Sequence, residues 1–280
     1  MNCAWQAYLN ILPVWMRGEV DRLGAQYLQE LRIRVDRPPD LITSKGKYSL
    51  QEKIRSEDIL YCINAVSKYS PWSSATIQNG YITASGGHRV GICGDVVIVD
   101  GKISTIKNVT SLCIRVARDF PGIGQKAAGI EESTLIIGAP GRGKSTLLRD
   151  LIRQKSKTGA VAVVDERKEL FPTVGTTFCF PPGPSTDVMS GCSKPSGMQM
   201  MIRTLNPSWI AVDEITEAED CQGLIRAAWC GVRLLATAHA ETICDFLNRP
   251  VYKPLIRSGV FKNIIVMQSD KSWILERLNI

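Results

Sequence analysis

The chain has 280 residues, of which 44% are hydrophobic and 22% charged, close to the average soluble globular protein and unlike a disordered, collagen-like or supercharged chain. At about 150 residues per domain this length suggests two domains, with ample material for a buried core. The formal charge of +7 is spread evenly, fifteen basic against eleven acidic groups over residues 1–120 and nineteen against sixteen over 121–280, so no basic stripe of the kind that marks nucleic-acid binding is present.

No run approaches the roughly eighteen apolar residues of a membrane-crossing helix. The first basic residue is Arg17, so the start lacks the charged head of a secretory signal, and a cytoplasmic protein is expected. The nine cysteines are odd in number and form no C-x-x-C pair, and His88 and His239 are the two histidines. Neither a disulfide framework nor a Cys/His zinc site is expected from that set.

Residues 20–35 read as a helix followed by an extended strand, stopped at Arg37-Pro38-Pro39. Residues 56–68 carry Ser56 as an N-cap, Glu57 and Asp58 in the first turn, and Ile59, Leu60, Ile63 and Val66 at helical spacing. From 80 to 118 the texture is that of strands: Gly80–Thr83, a Ser85-Gly86-Gly87 turn, then Arg89–Ile92. Val96–Val99 and Ile103–Ile106 flank Asp100-Gly101, a two-residue hairpin signal. Phe120-Pro121-Gly122-Ile123-Gly124 marks the expected boundary, giving a smaller α+β domain over 1–120 and a second domain over 121–280.

The second half alternates apolar strands with helices, as in α/β folds. Strands are predicted at Thr134–Ile137, Ala160–Val164, Trp209–Val212, Leu234–Ala236 and Ile264–Met267. Helices are predicted at 144–156, 196–205, 217–230 and 241–248, the third closed by Gly231. Runs such as Ala160–Val164 do not alternate, which suits a parallel sheet covered on both faces.

Gly138-Ala139-Pro140-Gly141-Arg142-Gly143-Lys144-Ser145, continuing into Thr146, matches the phosphate-binding loop G-x-x-x-x-G-K-[ST] between a strand and a helix. Its glycines let backbone N–H groups turn toward phosphate oxygens at a helix N-terminus. Lys144 is expected to reach the β- and γ-phosphates of ATP, and Ser145 to place a hydroxyl on Mg²⁺. Trp209–Val212 followed by Asp213-Glu214 has the pattern of an apolar strand ending in acids. Asp213 would hold Mg²⁺ through water, and Glu214 would orient or deprotonate the attacking water.

A second acidic pair, Asp165-Glu166, ends the strand before it. Either Glu166 gives the water a second carboxylate, or Arg167, Lys168 and Glu169 make an ordinary solvated loop. Thr237 and His239 lie where a later strand reaches the same edge, placed to sense a γ-phosphate unless His239 is structural. Arg203, ten residues before Asp213, reads as a phosphate or neighbour-subunit contact or else a surface ion pair. Arg89, on the Gly86–Gly91 turn, belongs to a plain hairpin or is supplied in trans to a neighbour's γ-phosphate.

At these residues the chain resembles the stage III sporulation protein AA family, mother-cell ATPases of endospore-forming bacteria related to the type II and type IV secretion ATPases. The resemblance spans nearly the whole length. It is carried by Leu31–Val35, the Gly80–Gly94 stretch, Ser111–Arg118, the phosphate loop with the LLRDL that follows it, Val163–Leu170, Thr186–Ile215 and Leu234–His239. It implies a RecA-like ATPase domain after a smaller N-terminal domain, with Gly138, Gly143, Lys144, Ser145, Asp213 and Glu214 as nucleotide residues. Glu166 and His239 match the acidic strand end and later histidine of the secretion ATPases.

The resemblance further implies a homo-oligomeric ring, a hexamer, at the cytoplasmic face of the outer forespore membrane. There it would energise or assemble a mother-cell-to-forespore channel with membrane proteins as partners. Two alternatives differ in class: a nucleotide-bound scaffold with little turnover, and a nucleic-acid-dependent motor. The even charge and the scarcity of aromatics for base stacking, 7%, weigh against the motor.

Overall fold

The computed structural model describes residues 1–67 and 80–278. The chain divides into two compact units, residues 1–119 with 172–180, and residues 120–171 with 181–280.

In the first unit, helices α1 (Trp5–Ile11), α2 (Val14–Leu23) and α3 (Ser56–Ser67) accompany strands β1 (Leu28–Arg34), β2 (Asp40–Thr43), β3 (Gly46–Ser49), β4 (Tyr81–Thr83), β5 (Arg89–Val99) and β6 (Lys102–Arg115). The sheet order is β3-β2-β1-β6-β5-β4, antiparallel throughout. Alternate strand residues Leu31, Ile33, Val90, Ile92, Leu112 and Ile114 form one core with Tyr8, Leu12, Met16, Val20, Ile59, Cys62 and Val66 of the helices. This is the one-sided burial that period-2 patterning produces. Asp100 and Gly101 join β5 to β6 with φ of 51° and 73°, the two left-handed residues of a type I′ turn, as the Asp-Gly signal predicts.

Two expectations need correction here. Ser56 is the first residue of α3 rather than its cap, and Asp58 accepts the Arg55 N–H at 2.8 Å. Lys68, the last residue of the predicted 56–68 helix, lies outside the described residues. Within the 121–280 range, Pro172–Phe180 belongs to the first unit. It forms the small hairpin of β9 (Thr173–Val174) and β10 (Thr177–Phe178). Pro172 and the Phe180 ring sit so close over Gly87 that a Cβ there would lie 2.8 Å from Pro172 Cγ.

The second unit is built on β7 (Thr134–Ile137), β8 (Val161–Asp165), β11 (Thr186–Ser190), β12 (Trp209–Ile215), β13 (Arg233–Ala238), β14 (Asn263–Met267) and β15 (Trp273–Arg277). Their order is β11-β8-β12-β13-β7-β14-β15, parallel except for the antiparallel β14–β15 pair. β7, β8 and β14 are buried along their whole length, the signature of a sheet covered on both faces.

Helices α5 (Lys194–Leu205) and α6 (Ala218–Trp229) contribute Met198, Met201, Leu224 and Ala227 to the core with Ile210, Val212, Leu234 and Ala236. α4 (Lys144–Lys155) packs against β7, β12 and β13 and buries Leu148, Leu151 and Ile152. Two short helices, α7 (Ile243–Asn248) and α8 (Lys253–Ser258), complete the unit. Among the described residues no helix is long and apolar enough to cross a membrane, and all nine cysteines are free. In such a sheet the C-terminal strand ends form the ligand-binding edge, and β7, β8, β12 and β13 all deliver their last residues there.

Candidate nucleotide site

The loop 138–146 leaves the end of β7 and enters α4. Gly138 approaches β14 so closely that a Cβ would lie 2.8 Å from the Met267 Cβ. Gly143 opens α4 in the left-handed region at φ 98°, a conformation that side chains resist. Ala139, Pro140, Gly141 and Arg142 form the outer curve, Pro140 and Gly141 exposed to solvent, while Ser145 and Thr146 begin the helix. Lys144 is buried, and its Nζ donates to the Gly138 carbonyl at 2.8 Å and the Ala139 carbonyl at 3.3 Å. Burial lowers its pKa against the opposing charge of Asp213. The ammonium is thus aimed into the mouth of the loop and held by weak neutral acceptors, an environment that an anion improves.

Asp213 and Glu214 both end up usable because β12 carries an irregularity. In its pairing with β13, Val212 faces Ala236 and Glu214 faces Thr237, so one extra residue is inserted, which re-aims the side chains as a bulge does. Asp213 Oδ1 accepts from Ser145 Oγ at 3.2 Å. Burial, and then the negative charge of Asp165, push its carboxyl up to about 6.

Glu214 takes the other direction, its Oε1 lying 2.5 Å from His239 Nε2. Burial, then the charges of Lys144 and Arg249, lower the His239 pKa, and its Nε2–H donates this bond to the carboxylate. Its Nδ1 then faces Lys144 Nζ at 3.5 Å. Lysine, imidazole and glutamate therefore form one chain, and β13 presents Thr237 next to it with a buried hydroxyl that has no hydrogen-bond partner.

Asp165, at the end of β8, behaves differently. Its oxygens accept the backbone N–H groups of Glu169, Leu170 and Phe171 at 2.8, 3.0 and 2.8 Å, and Arg149 of α4 donates to the Leu170 carbonyl at 2.6 Å. Glu166 is drawn to Lys194, whose Nζ donates to its Oε2 at 2.8 Å.

The structure brings Lys144, Ser145, Asp213, Glu214 and His239 together. Arg203 is on the last turn of α5, about 14 Å along the helix from Lys194 at 1.5 Å per residue, in a groove with Arg226. Arg89 belongs to the first unit, its guanidinium 3.8 Å above the Tyr81 ring centre. The sequence reading missed Lys194, Asp220 and Arg149, each of which acts through loops that fold back onto it. Asp220 alone left a trace, as an acid in the first turn of α6.

The residues present suit Mg²⁺ with a nucleotide. Among the described residues no three His, Cys, Asp or Glu side chains are grouped to hold a metal by themselves, and Mg²⁺ is commonly held by one or two protein oxygens plus substrate phosphates and water. The raised Asp213 carboxyl and the Ser145 hydroxyl beside it supply such protein oxygens, and the inward Lys144 ammonium suits the phosphates.

The chain matches the family described as Sporulation stage III, protein AA, over residues 6–274. It is 33% identical over 279 residues to Stage III sporulation protein AA of Bacillus subtilis (strain 168), covering 93% of this chain and 90% of that protein. Among solved structures, the pilus retraction motor PilT with bound ADP superposes with a TM-score of 0.58 at 14% identity, covering 94% of this chain and 81% of that one. The Legionella pneumophila ATPase DotB superposes with a TM-score of 0.55 at 16% identity, covering 95% and 80%. Identities this low carry the fold, which is α/β with the mostly parallel sheet of a P-loop ATPase. Sequence and fold together place the chain in the stage III sporulation protein AA family.

Proposed function

We propose that the chain binds ATP with Mg²⁺ at the loop 138–146 and hydrolyses it, as the motor of a homo-oligomeric ring. The observation that carries this reading is the convergence of Lys144, Ser145, Asp213, Glu214 and His239 at one sheet edge, each from a different role in phosphoryl chemistry.

Lys144 and the N–H groups of the loop bind and orient the phosphates. Ser145 and Asp213 would hold Mg²⁺, which would supply charge neutralisation for the transferred phosphoryl group. Glu214 accepts the proton of the attacking water. His239 donates to Glu214 and so fixes which of its oxygens faces the water. When Lys144 turns from the Gly138 carbonyl to a phosphate, Nδ1 of His239 loses its cationic neighbour, which links phosphate binding to the orientation of the base. Arg89 and Arg203 are the candidates for completing a neighbouring subunit's site, since a heterologous interface that closes gives cyclic symmetry. The ATPase core over residues 120–171 and 181–280, the hexamer, the channel membrane proteins as partners, and the mother-cell face of the outer forespore membrane all belong to this reading.

The test is steady-state ATP hydrolysis against protein concentration, with mass measured on the same samples. Specific activity that rises as a larger assembly forms supports the ring. Full activity in a persistent monomer overturns it.

A further inference from the structure

Lys194 opens α5 and stands among acids that the reading above does not use. Its side chain is 8% exposed, and its Nζ lies 2.8 Å from Glu166 Oε2 and 3.1 Å from Asp220 Oδ2. Asp220 in turn accepts the Thr216 N–H at 3.0 Å and the Glu217 N–H at 3.3 Å. Glu166 follows β8, and Thr216 stands two residues beyond Glu214. Glu166, Arg167, Glu169, Lys194, Asp213, Glu214 and Thr216 line one small hollow. A lysine this buried is tolerated only when its charge is paired, and here a single ammonium satisfies carboxylates from two different elements.

We propose that Lys194 is a positioning residue for ATP hydrolysis, holding Glu166 aside from the attacking water and fixing, through Asp220 and Thr216, the segment that carries Glu214. This inference rests on the ATPase reading of the site. Glu166 opens into the same hollow as Glu214, together with Glu169 and Asp213, and a Glu166 carboxylate left unpaired there would compete with Glu214 for one water and repel it. The Lys194 ammonium neutralises Glu166 and leaves Glu214 as the base. Its second bond keeps Asp220 on the backbone N–H groups that follow β12, so the strand end cannot swing. Reactivity depends steeply on such placement, while phosphate binding by the loop 138–146 does not involve these groups.

The experiment compares kcat, KM, ATP affinity by fluorescent-nucleotide titration and unfolding temperature in the native chain, Lys194→Met, Lys194→Arg and the double variant Lys194→Met/Glu166→Gln. Lys194→Met is expected to lower kcat about a hundredfold while ATP affinity stays within about threefold. Lys194→Arg recovers much of the rate, because a cation again pairs both acids. The double variant recovers part of it, because the stranded carboxylate is gone. Should Lys194→Met not fold, Asp220→Asn reads the same tie from its other end, with kcat reduced and ATP affinity kept.

Native kcat in Lys194→Met or in Asp220→Asn overturns the proposal. So does an equal loss of rate and ATP affinity that neither Lys194→Arg nor the double variant relieves, since that is the mark of a purely structural tie. A native chain that never turns over ATP refutes the proposed function and this inference with it. A native chain that turns over beside an unaltered Lys194→Met refutes the positioning role alone.

Discussion

Asp165 ends β8, and Asp213 lies two residues before the end of the neighbouring parallel strand β12; burial raises both carboxyls, yet their hydrogen-bond partners differ. Asp165 has its oxygens filled by three backbone N–H groups of residues 169–171. Asp213 has the Ser145 hydroxyl at 3.2 Å and a carboxyl pushed up to about 6 by burial and by Asp165. The two histidines differ in the kind of partner rather than in the number. His88 is fully buried in the first unit, with Nε2 on the Ala4 carbonyl and Nδ1 accepting the Ala117 N–H, both at 3.0 Å, whereas His239 is about one-third exposed and sits between Lys144 and Glu214. At the aspartates, the saturated group holds the fold together, and the one kept short of partners is available to a ligand; at the histidines, backbone partners hold the fold and side-chain partners leave the ring at the site.

The contrast is sharpest at the two aspartates. Asp213→Asn is expected to cut Mg²⁺-dependent turnover by about a thousandfold, the scale of losing a metal's charge stabilisation, with no loss of stability at neutral pH. Its carboxyl sits above the ordinary range when folded, so it destabilises the native chain increasingly as pH rises from about 4 through 6, and asparagine removes that burden. Urea unfolding at pH 7.5 reads this directly, and a clear destabilisation by Asp213→Asn breaks the distinction. Asp165→Ala should do the reverse in the same assay, costing about 3 kcal/mol by stranding three buried N–H groups. Near-native stability in Asp165→Ala contradicts its assignment as a closed latch.

The smallest effect concerns His88. Burial pushes its pKa down to about 4, against the hydrogen bond to Ala4 that raises it. The unfolded chain therefore takes up a proton between about pH 6.5 and 4 that the folded chain refuses, and stability falls as pH drops through that window. At pH 5 the loss amounts to about 2 kcal/mol. Unfolding followed at pH 7 and pH 5 should show this loss in the native chain and a smaller one in His88→Gln. Equal pH dependence in the two chains contradicts the assignment.

How much of this could be read in advance follows from how local each feature is. The loop 138–146 is contiguous, and its glycines and Lys144 answer to rules within ten residues, so its strand and helix are legible. The strands β7, β8, β12, β13 and β14 announce themselves as unbroken apolar runs. β11 and β15 do not, because edge strands such as Thr186–Ser190 are half exposed and carry no such run.

Asp165-Glu166 and Asp213-Glu214 look alike in sequence. What separates them is a chain path, the return of residues 169–171 over Asp165 with Lys168 at φ 55°, together with the bulge that turns Asp213 and Glu214 to different partners. The assignment of Pro172–Phe180 to the first unit depends on packing against Gly87, some eighty-five residues away, which no local pattern encodes. Arg203 lies ten residues before Asp213 in sequence, but a helix carries it away from the strand ends, so nearness along the chain misleads there.

The account turns on Glu214 acting as the base at a site that binds ATP without it. The most direct test is a paired measurement of ATP binding and Mg²⁺-dependent hydrolysis in the native chain and in Glu214→Gln. The account predicts that the native chain binds and hydrolyses ATP, and that the variant binds ATP as tightly while turnover falls by about a thousandfold. Equal turnover in the two chains, or loss of ATP binding in the variant, would contradict it.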